Sequence, residues 1–278
     1  MAPVADVSVG DLFAGLLFPG LIMAALFIAY IVVRCMITPS LAPRVKIPVE
    51  DLPSWSEMIR STGFALLPPV FLIFTVLGTI LMGLATPTEA AACGAIGAAV
   101  LTALNGQFTI SVLSDAARRT MLVTAMILTI LLAGNMFAGV FIASGGISTV
   151  KDLIAALDLS TWSILLLILG LAFVAGFALD LVSVILVFVP IALPIIRTLG
   201  FDPVWFCILF LVVIQTSYLT PPMAPSIFYL RAISPPEITL RHMYRGVVPF
   251  IGLQIVTLIL VMMFPALALW LPRVLLGF

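Results

Sequence analysis

Charge is what this chain has least of. Only 9% of its 278 residues are charged, and twelve basic residues balance twelve acidic ones. A soluble domain carries about 25%. The shortage excludes a water-soluble enzyme and a disordered chain, and the balance leaves no basic excess for a nucleic acid. There is a single histidine, His242. With no second His or nearby Cys it has no metal-binding partner. The three cysteines, Cys35, Cys93 and Cys207, show no CxxC spacing, so neither a redox pair nor a zinc framework is indicated. They read as small residues in apolar segments. No phosphate-cradling loop, HExxH or GxSxG is found. An intramembrane aspartyl protease needs two paired acids, and only Asp180 qualifies. The chain is therefore not expected to be an enzyme. Its first residues include Asp6 and Asp11 but no Lys or Arg. A cleaved signal peptide starts with a basic region, so the first apolar run reads as a retained span.

What the chain has in abundance is apolar sequence: 63% of its residues are hydrophobic, and the mean hydropathy is +1.34. The runs are long and unbroken, whereas a membrane β-barrel shows alternating stretches of about 10 residues. The fold class is therefore an all-α polytopic membrane protein. A spanning helix needs about 20 mostly apolar residues. Candidate spans are Phe13–Val33, Gly63–Leu84, a short Ala90–Leu104, Met121–Ala143 and Val247–Leu271. Between them lie a polar stretch Arg34–Arg60, a loop Asn105–Arg119, and a short amphipathic segment Gly146–Leu157. Two apolar arms, Trp162–Leu179 and Leu181–Ile196, flank Asp180. Val204–Leu219 follows, is interrupted, and resumes as Met223–Leu230 before a polar Arg231–Arg245.

Lys and Arg collect on the cytoplasmic side. With the N-terminus outside, Arg34, Arg44, Lys46, Arg60, Arg118, Arg119, Arg231, Arg241 and Arg245 fall inside. Lys151, Arg197 and Arg273 fall outside, so the count is nine against three. Both termini are expected on the outer face. The parity is the same whether the arms around Asp180 are two full spans or one re-entrant hairpin.

Four places break the apolar pattern. An ionisable group at mid-bilayer costs about 2.5–3.5 kcal/mol on insertion scales. Asp180 has no charged neighbour between Asp158 and Arg197. It marks either a surface turn between two spans or the tip of a re-entrant hairpin lining a polar cavity. The second place is Gln215-Thr216-Ser217-Tyr218-Leu219-Thr220-Pro221-Pro222-Met223-Ala224-Pro225, where three prolines remove backbone donors. It is either a proline kink or the unwound centre of a discontinuous helix, where freed carbonyls bind a cation and a half-helix N-terminus faces an anion. The third, Thr86-Pro87-Thr88-Glu89, has the spacing of a helix cap with an acid in the first turn. The fourth, Asn135, suits a hydrogen bond to a neighbouring helix.

Five segments carry a family resemblance. Val7–Ala24 (VSVGDLFAGLLFPGLIMA), Gly83–Ala95 (GLATPTEAAACGA), Phe177–Phe206, Tyr218–Leu230 (YLTPPMAPSIFYL) and Phe264–Pro272 (FPALALWLP) resemble, in order, the large membrane (permease) subunit of TRAP transporters, the tripartite ATP-independent periplasmic systems. The similarity is to the C-terminal part of that subunit, because the family has an upstream repeat with its own hairpin and broken helix. Glu89-Ala90-Ala91 also resembles the coupling loop of ABC importer permeases. There, however, the glycine comes later, a Leu-Pro follows, and the loop is cytoplasmic.

The TRAP resemblance implies an elevator-type transporter repeat with a re-entrant hairpin and a discontinuous helix. It implies scaffold-type helices over 1–120 with a cytoplasmic connector at 34–60. A transport-type repeat would fill 121–230: a span, an arm helix, a hairpin at 160–199 and a broken helix at 203–230. A cytoplasmic amphipathic segment and a last span would complete 231–278. The implied function is sodium-driven secondary import of small organic acids across the bacterial inner membrane. Its partners would be a small TRAP membrane subunit, a periplasmic solute-binding protein and the lipid bilayer. No cofactor is implied beyond sodium as coupling ion. Carried onto this sequence, substrate and ion fall to Ala178, Asp180 and Ser183 at the hairpin tip and to Ser217, Thr220, Pro221, Pro222 and Met223 at the break. Sodium is expected near Asp180 and Thr220, and Thr86, Pro87, Thr88 and Glu89 form a structural motif. The family often has Gly shortly after the paired prolines. Here Met223-Ala224-Pro225 stands instead, which leaves dicarboxylates and monocarboxylic or 2-oxo acids both open. The alternative is a non-transporting scaffold or fragment that assembles with other subunits.

Overall fold

The computed structural model describes residues 1–42, 54–156, 158–221, 224–235 and 237–277. Arg44 and Lys46 of the expected connector, and Pro222 and Met223 of the expected site, lie outside the described residues. The described residues form twelve α-helices: α1 (Ala2–Ala5), α2 (Val9–Ile37), α3 (Trp55–Leu81), α4 (Pro87–Leu104), α5 (Ile110–Ala143), α6 (Gly146–Ala156), α7 (Thr161–Ala175), α8 (Leu181–Thr198), α9 (Pro203–Leu219), α10 (Pro225–Ile233), α11 (Leu240–Met263) and α12 (Ala266–Leu276). Six of them, α2, α3, α4, α5, α8 and α11, are long and apolar enough to cross a membrane.

The chain divides into two compact units. One comprises Met1–Ala25 and Thr120–Phe278, the other Leu26–Arg119. In the first, α9 is the centre. It is apolar all round, as a helix enclosed by others must be, and Trp205, Phe206, Cys207, Ile208, Leu209, Phe210 and Ile214 are buried in it. Helices α7, α8, α10, α11 and α12 pack on α9, and α1 packs on α8. Arg197 near the end of α8 donates to the Ala5 carbonyl at 3.2 Å, tying the first residues of the chain to this unit. In lipid, tails compete for apolar contact, so close packing and hydrogen bonds hold such helices together.

The hairpin formed by α7 and α8 is anchored at its open end by aromatic rings. Trp162 lies edge-on to Phe201 (5.5 Å) and to Trp205 (6.1 Å), and Phe201 stands 5.4 Å from Trp205. Trp205 has a second role. Pro265 has no N–H for the carbonyl of Val261, four residues back, and the expected span Val247–Leu271 breaks there into α11 and α12. The indole Nε1 of Trp205 donates to that carbonyl at 2.9 Å.

The second unit is built on α3 and α4. Ser54 and Glu57 form a reciprocal capping box at the start of α3, and Thr86 and Glu89 another at the start of α4. Gly97 gives Leu72 room at the α3–α4 contact: a Cβ there would sit 2.5 Å from Leu72 Cδ2, and that side chain would have to turn aside. The expected loop Asn105–Arg119 is shorter than anticipated, because α5 begins at Ile110. Its charges sit on a helical turn, where Arg119 pairs with Asp115 at 3.1 Å in i,i+4 spacing.

Candidate functional site: a hairpin turn against a helix break

Helix α7 ends at Ala175, and Asp180 starts α8 as its N-cap. One carboxylate oxygen, Oδ2, accepts from the backbone N–H of Val182 (3.0 Å) and of Ser183 (3.3 Å). The other, Oδ1, accepts from the Ser183 hydroxyl. An ionised acid is favoured at a helix N-terminus by the exposed N–H groups and the helix dipole. The turn itself, Gly176 to Asp180, is steadied by Phe173 and Phe177, whose rings meet edge to face at 4.9 Å.

Helix α9 stops because Pro221 cannot donate to the carbonyl of Ser217. The N–H of Thr220 takes that carbonyl instead, at 3.1 Å, in a tightened last turn. Three hydroxyls then bond back along the helix. Thr216 donates to the Val212 carbonyl (2.8 Å), Ser217 to Ile214 (2.7 Å) and Thr220 to Thr216 (2.7 Å). Their hydrogens are engaged, which leaves the three oxygens as acceptors. Beyond the break Ala224 sits in the left-handed region (φ 37°) and Pro225 opens α10. For a residue with a side chain this conformation is strained.

Turn and break meet. A Cβ on Gly176 would lie 2.1 Å from Ser217 Oγ and 2.9 Å from Ser217 Cβ, so the backbone of the turn rests on that serine. The Tyr218 hydroxyl accepts from the N–H of Leu181 at 2.8 Å. With Asp180 it satisfies the first three N–H groups of α8.

Of the residues expected at the site, Ala178 and Asp180 are exposed in the turn, Ser217 is buried, Thr220 is half-buried and Pro221 is exposed. Ser183 is half-buried and lines a cavity of about 350 Å³ with Ile130, Gly134 and Phe137 of α5. Thr86, Pro87, Thr88 and Glu89 belong to the other unit as the cap of α4. Asn135 is exposed, and its side chain makes no hydrogen bond among the described residues. Sequence reasoning missed Gly176 and Tyr218 as contact residues. A lone tyrosine hydroxyl beside the prolines was the available signal for Tyr218. Tyr218→Phe removes the acceptor of one helix-end N–H, so a thermal melt of the detergent-solubilised protein should show a loss of about 1 kcal/mol. An unchanged melting temperature would mean that the hydroxyl is dispensable.

Six spans and a helical hairpin seated on an interrupted helix define a multi-pass α-helical membrane protein. Residues 1–267 match the family described as the tripartite ATP-independent periplasmic transporter, DctM component. The chain belongs to that family, which is one of transporter permeases and not of enzymes. It is 30% identical over 245 residues to the C4-dicarboxylate TRAP transporter large permease protein DctM of Pseudomonas aeruginosa, covering 88% of this chain and 55% of that one. It is 29% identical over 231 residues to the ectoine/5-hydroxyectoine large permease protein UehC of Ruegeria pomeroyi (83% and 53%). With the sialic acid large permease protein SiaM of Vibrio cholerae it shares 27% over 223 residues (80% and 51%). The chain thus spans about half the length of the curated relatives it matches.

Proposed function

We propose that this chain is a membrane part of a sodium-driven secondary importer of small organic acids. A small membrane subunit and a periplasmic solute-binding protein would complete the system in the bacterial inner membrane, with both termini of this chain on the periplasmic side. Residues 1–120 would serve as scaffold and 121–230 as the mobile repeat. One contact carries the proposal: the hairpin turn rests on the helix break, through Gly176 on Ser217 and Leu181 on Tyr218. That arrangement puts Ala178, Asp180 and Ser183 on one side and Ser217, Thr220 and Pro221 on the other, with Pro222 and Met223 continuing the break in sequence. Hydroxyl oxygens whose hydrogens are already engaged suit a hard monovalent cation, which binds through oxygen. The carboxylate of the substrate would be received at the start of α10, where no Lys or Arg lies between Arg197 and Arg231 and a helix N-terminus supplies the positive end of a dipole.

The test is uptake of labelled succinate into proteoliposomes holding the assembled transporter, with the sodium gradient varied. Thr220→Ala should raise the sodium concentration for half-maximal uptake roughly tenfold, the factor that ~1.4 kcal/mol of lost binding makes. Thr220→Ser keeps the hydroxyl and should leave sodium dependence near normal. Uptake indifferent to sodium in the parent protein sinks the coupling. A normal sodium response in Thr220→Ala shows that this hydroxyl is no ligand.

A further inference from the structure

Five hydroxyls stand on the first turn of α8 and the last turns of α9: Ser183, Thr216, Ser217, Tyr218 and Thr220. Four have spent their hydrogens. Ser183 donates to Asp180, Thr216 to the Val212 carbonyl, Ser217 to Ile214 and Thr220 to Thr216. Tyr218 has not. Its oxygen accepts from the Leu181 N–H at 2.8 Å, and its own hydrogen has no acceptor among the described residues. The backbone offers no substitute. The first three N–H groups of α8 go to Tyr218 and Asp180, and the fourth, of Val184, goes to the Asp180 carbonyl at 3.0 Å. The start of α8 therefore has no N–H left for an anion. The Gln215 amide, one turn earlier on α9, is directed at Met23 Sδ of α2 (4.0 Å).

Tyr218 is half-buried, which holds the ring in place. Its hydrogen bond to Leu181 lies on the exposed side of the turn, beside the exposed Asp180. Accepting from a helix-end N–H polarises the O–H bond and strengthens it as a donor. Hydrogen bonds to an ionised acceptor are the strong kind. A neutral phenol also tolerates a cation next to it, which Lys or Arg would repel. From the one unspent hydroxyl, its polarisation and its exposure at the turn, we infer that Tyr218 is a substrate-binding residue whose O–H donates to the substrate's carboxylate. The inference rests on the function proposed above, which supplies the carboxylate, and it adds a residue to that site. The sodium ion of that function offsets the repulsion between Asp180 and the incoming carboxylate, so Tyr218 acts in the sodium-loaded state.

Equilibrium binding of labelled succinate and of labelled pyruvate to the assembled membrane subunits tests this, in saturating sodium and without the binding protein. Tyr218→Phe keeps the ring and removes the hydrogen. It should weaken binding of whichever acid the parent takes by about tenfold. Tyr229→Phe, at a well-exposed tyrosine of α10, should leave binding unchanged. Tyr218→Phe also takes away the acceptor of Leu181, so a second variant separates the two roles. Replacing Tyr218 with 3-fluorotyrosine, at a pH where the phenol stays protonated, makes the hydroxyl a stronger donor and a weaker acceptor, because fluorine withdraws electron density from the ring. A donor to substrate then gives binding at least as tight as in the parent. A merely structural hydroxyl gives binding that falls with the melting temperature in both variants. Undiminished binding in Tyr218→Phe, an equal loss in Tyr229→Phe, or a fluorotyrosine variant as weak as Tyr218→Phe overturns the inference and leaves the proposed function standing. A parent that binds neither acid in sodium overturns both.

Discussion

Gly176→Ala should cut transport by at least about tenfold while Gly170→Ala leaves it intact. The alanine methyl at position 176 would enter space held by Ser217, 2.1 Å from its oxygen and 2.9 Å from its Cβ. Overlaps of that kind cost about 1–3 kcal/mol where the site cannot yield. This one has little room, since Ser217 is fully buried and its hydroxyl is engaged with Ile214. At Gly170 an added Cβ meets nothing within 4 Å, so alanine there is at worst neutral. The cause can be isolated with a compensating change read in stability: Ser217→Gly removes both clashing atoms and should restore most of the thermal stability lost in Gly176→Ala. If the melting temperature of the double variant stays low, the defect lies elsewhere. If Gly176→Ala transports normally, the turn and the break are not the coupled surfaces described here.

Trp205→Phe should destabilise the protein by about 1–3 kcal/mol, the penalty for a buried acceptor that loses its donor. The indole is 2% exposed and Val261 is fully buried, so no water replaces the lost N–H. Phenylalanine also lacks the pyrrole half of the indole and leaves a cavity, so the hydrogen bond is isolated only by a second background. Pro265→Ala provides the complementary arm, because an alanine N–H could close the helical bond to Val261. In that background the cost of Trp205→Phe should shrink. Equal costs in both backgrounds, by chemical denaturation in mild detergent, would show that the hydrogen bond contributes nothing.

Local signals made part of this legible. The spacing of Thr86 and Glu89 announces a cap, and a capping box is what forms, since both partners lie within one turn. Asp180 stands out by charge in an apolar run, and the prolines from Pro221 onward announce the end of α9. Asp115, Arg118 and Arg119 look like loop residues beside apolar sequence, but α5 begins at Ile110 and carries them. Asp115 and Arg119 then pair one turn apart on that helix. What stayed hidden is long-range. Ser217 seats against Gly176, 41 positions earlier, and the Val261 carbonyl is served by an indole 56 positions away. Nothing in either neighbourhood names the partner.

The aromatic rings at the open end of the hairpin have a mechanical consequence. Trp162, Phe201 and Trp205 fasten the base of α7 to the α8–α9 turn and to α9. At the far end Gly176 and Leu181 fasten the same hairpin to the tail of α9. A lever pinned at both ends cannot swing. The hairpin and α9 are therefore held as one strut. A pair of spin labels on α7 and α9 should keep one distance in every state of the protein, and two resolved distances would show that one of the two anchors lets go.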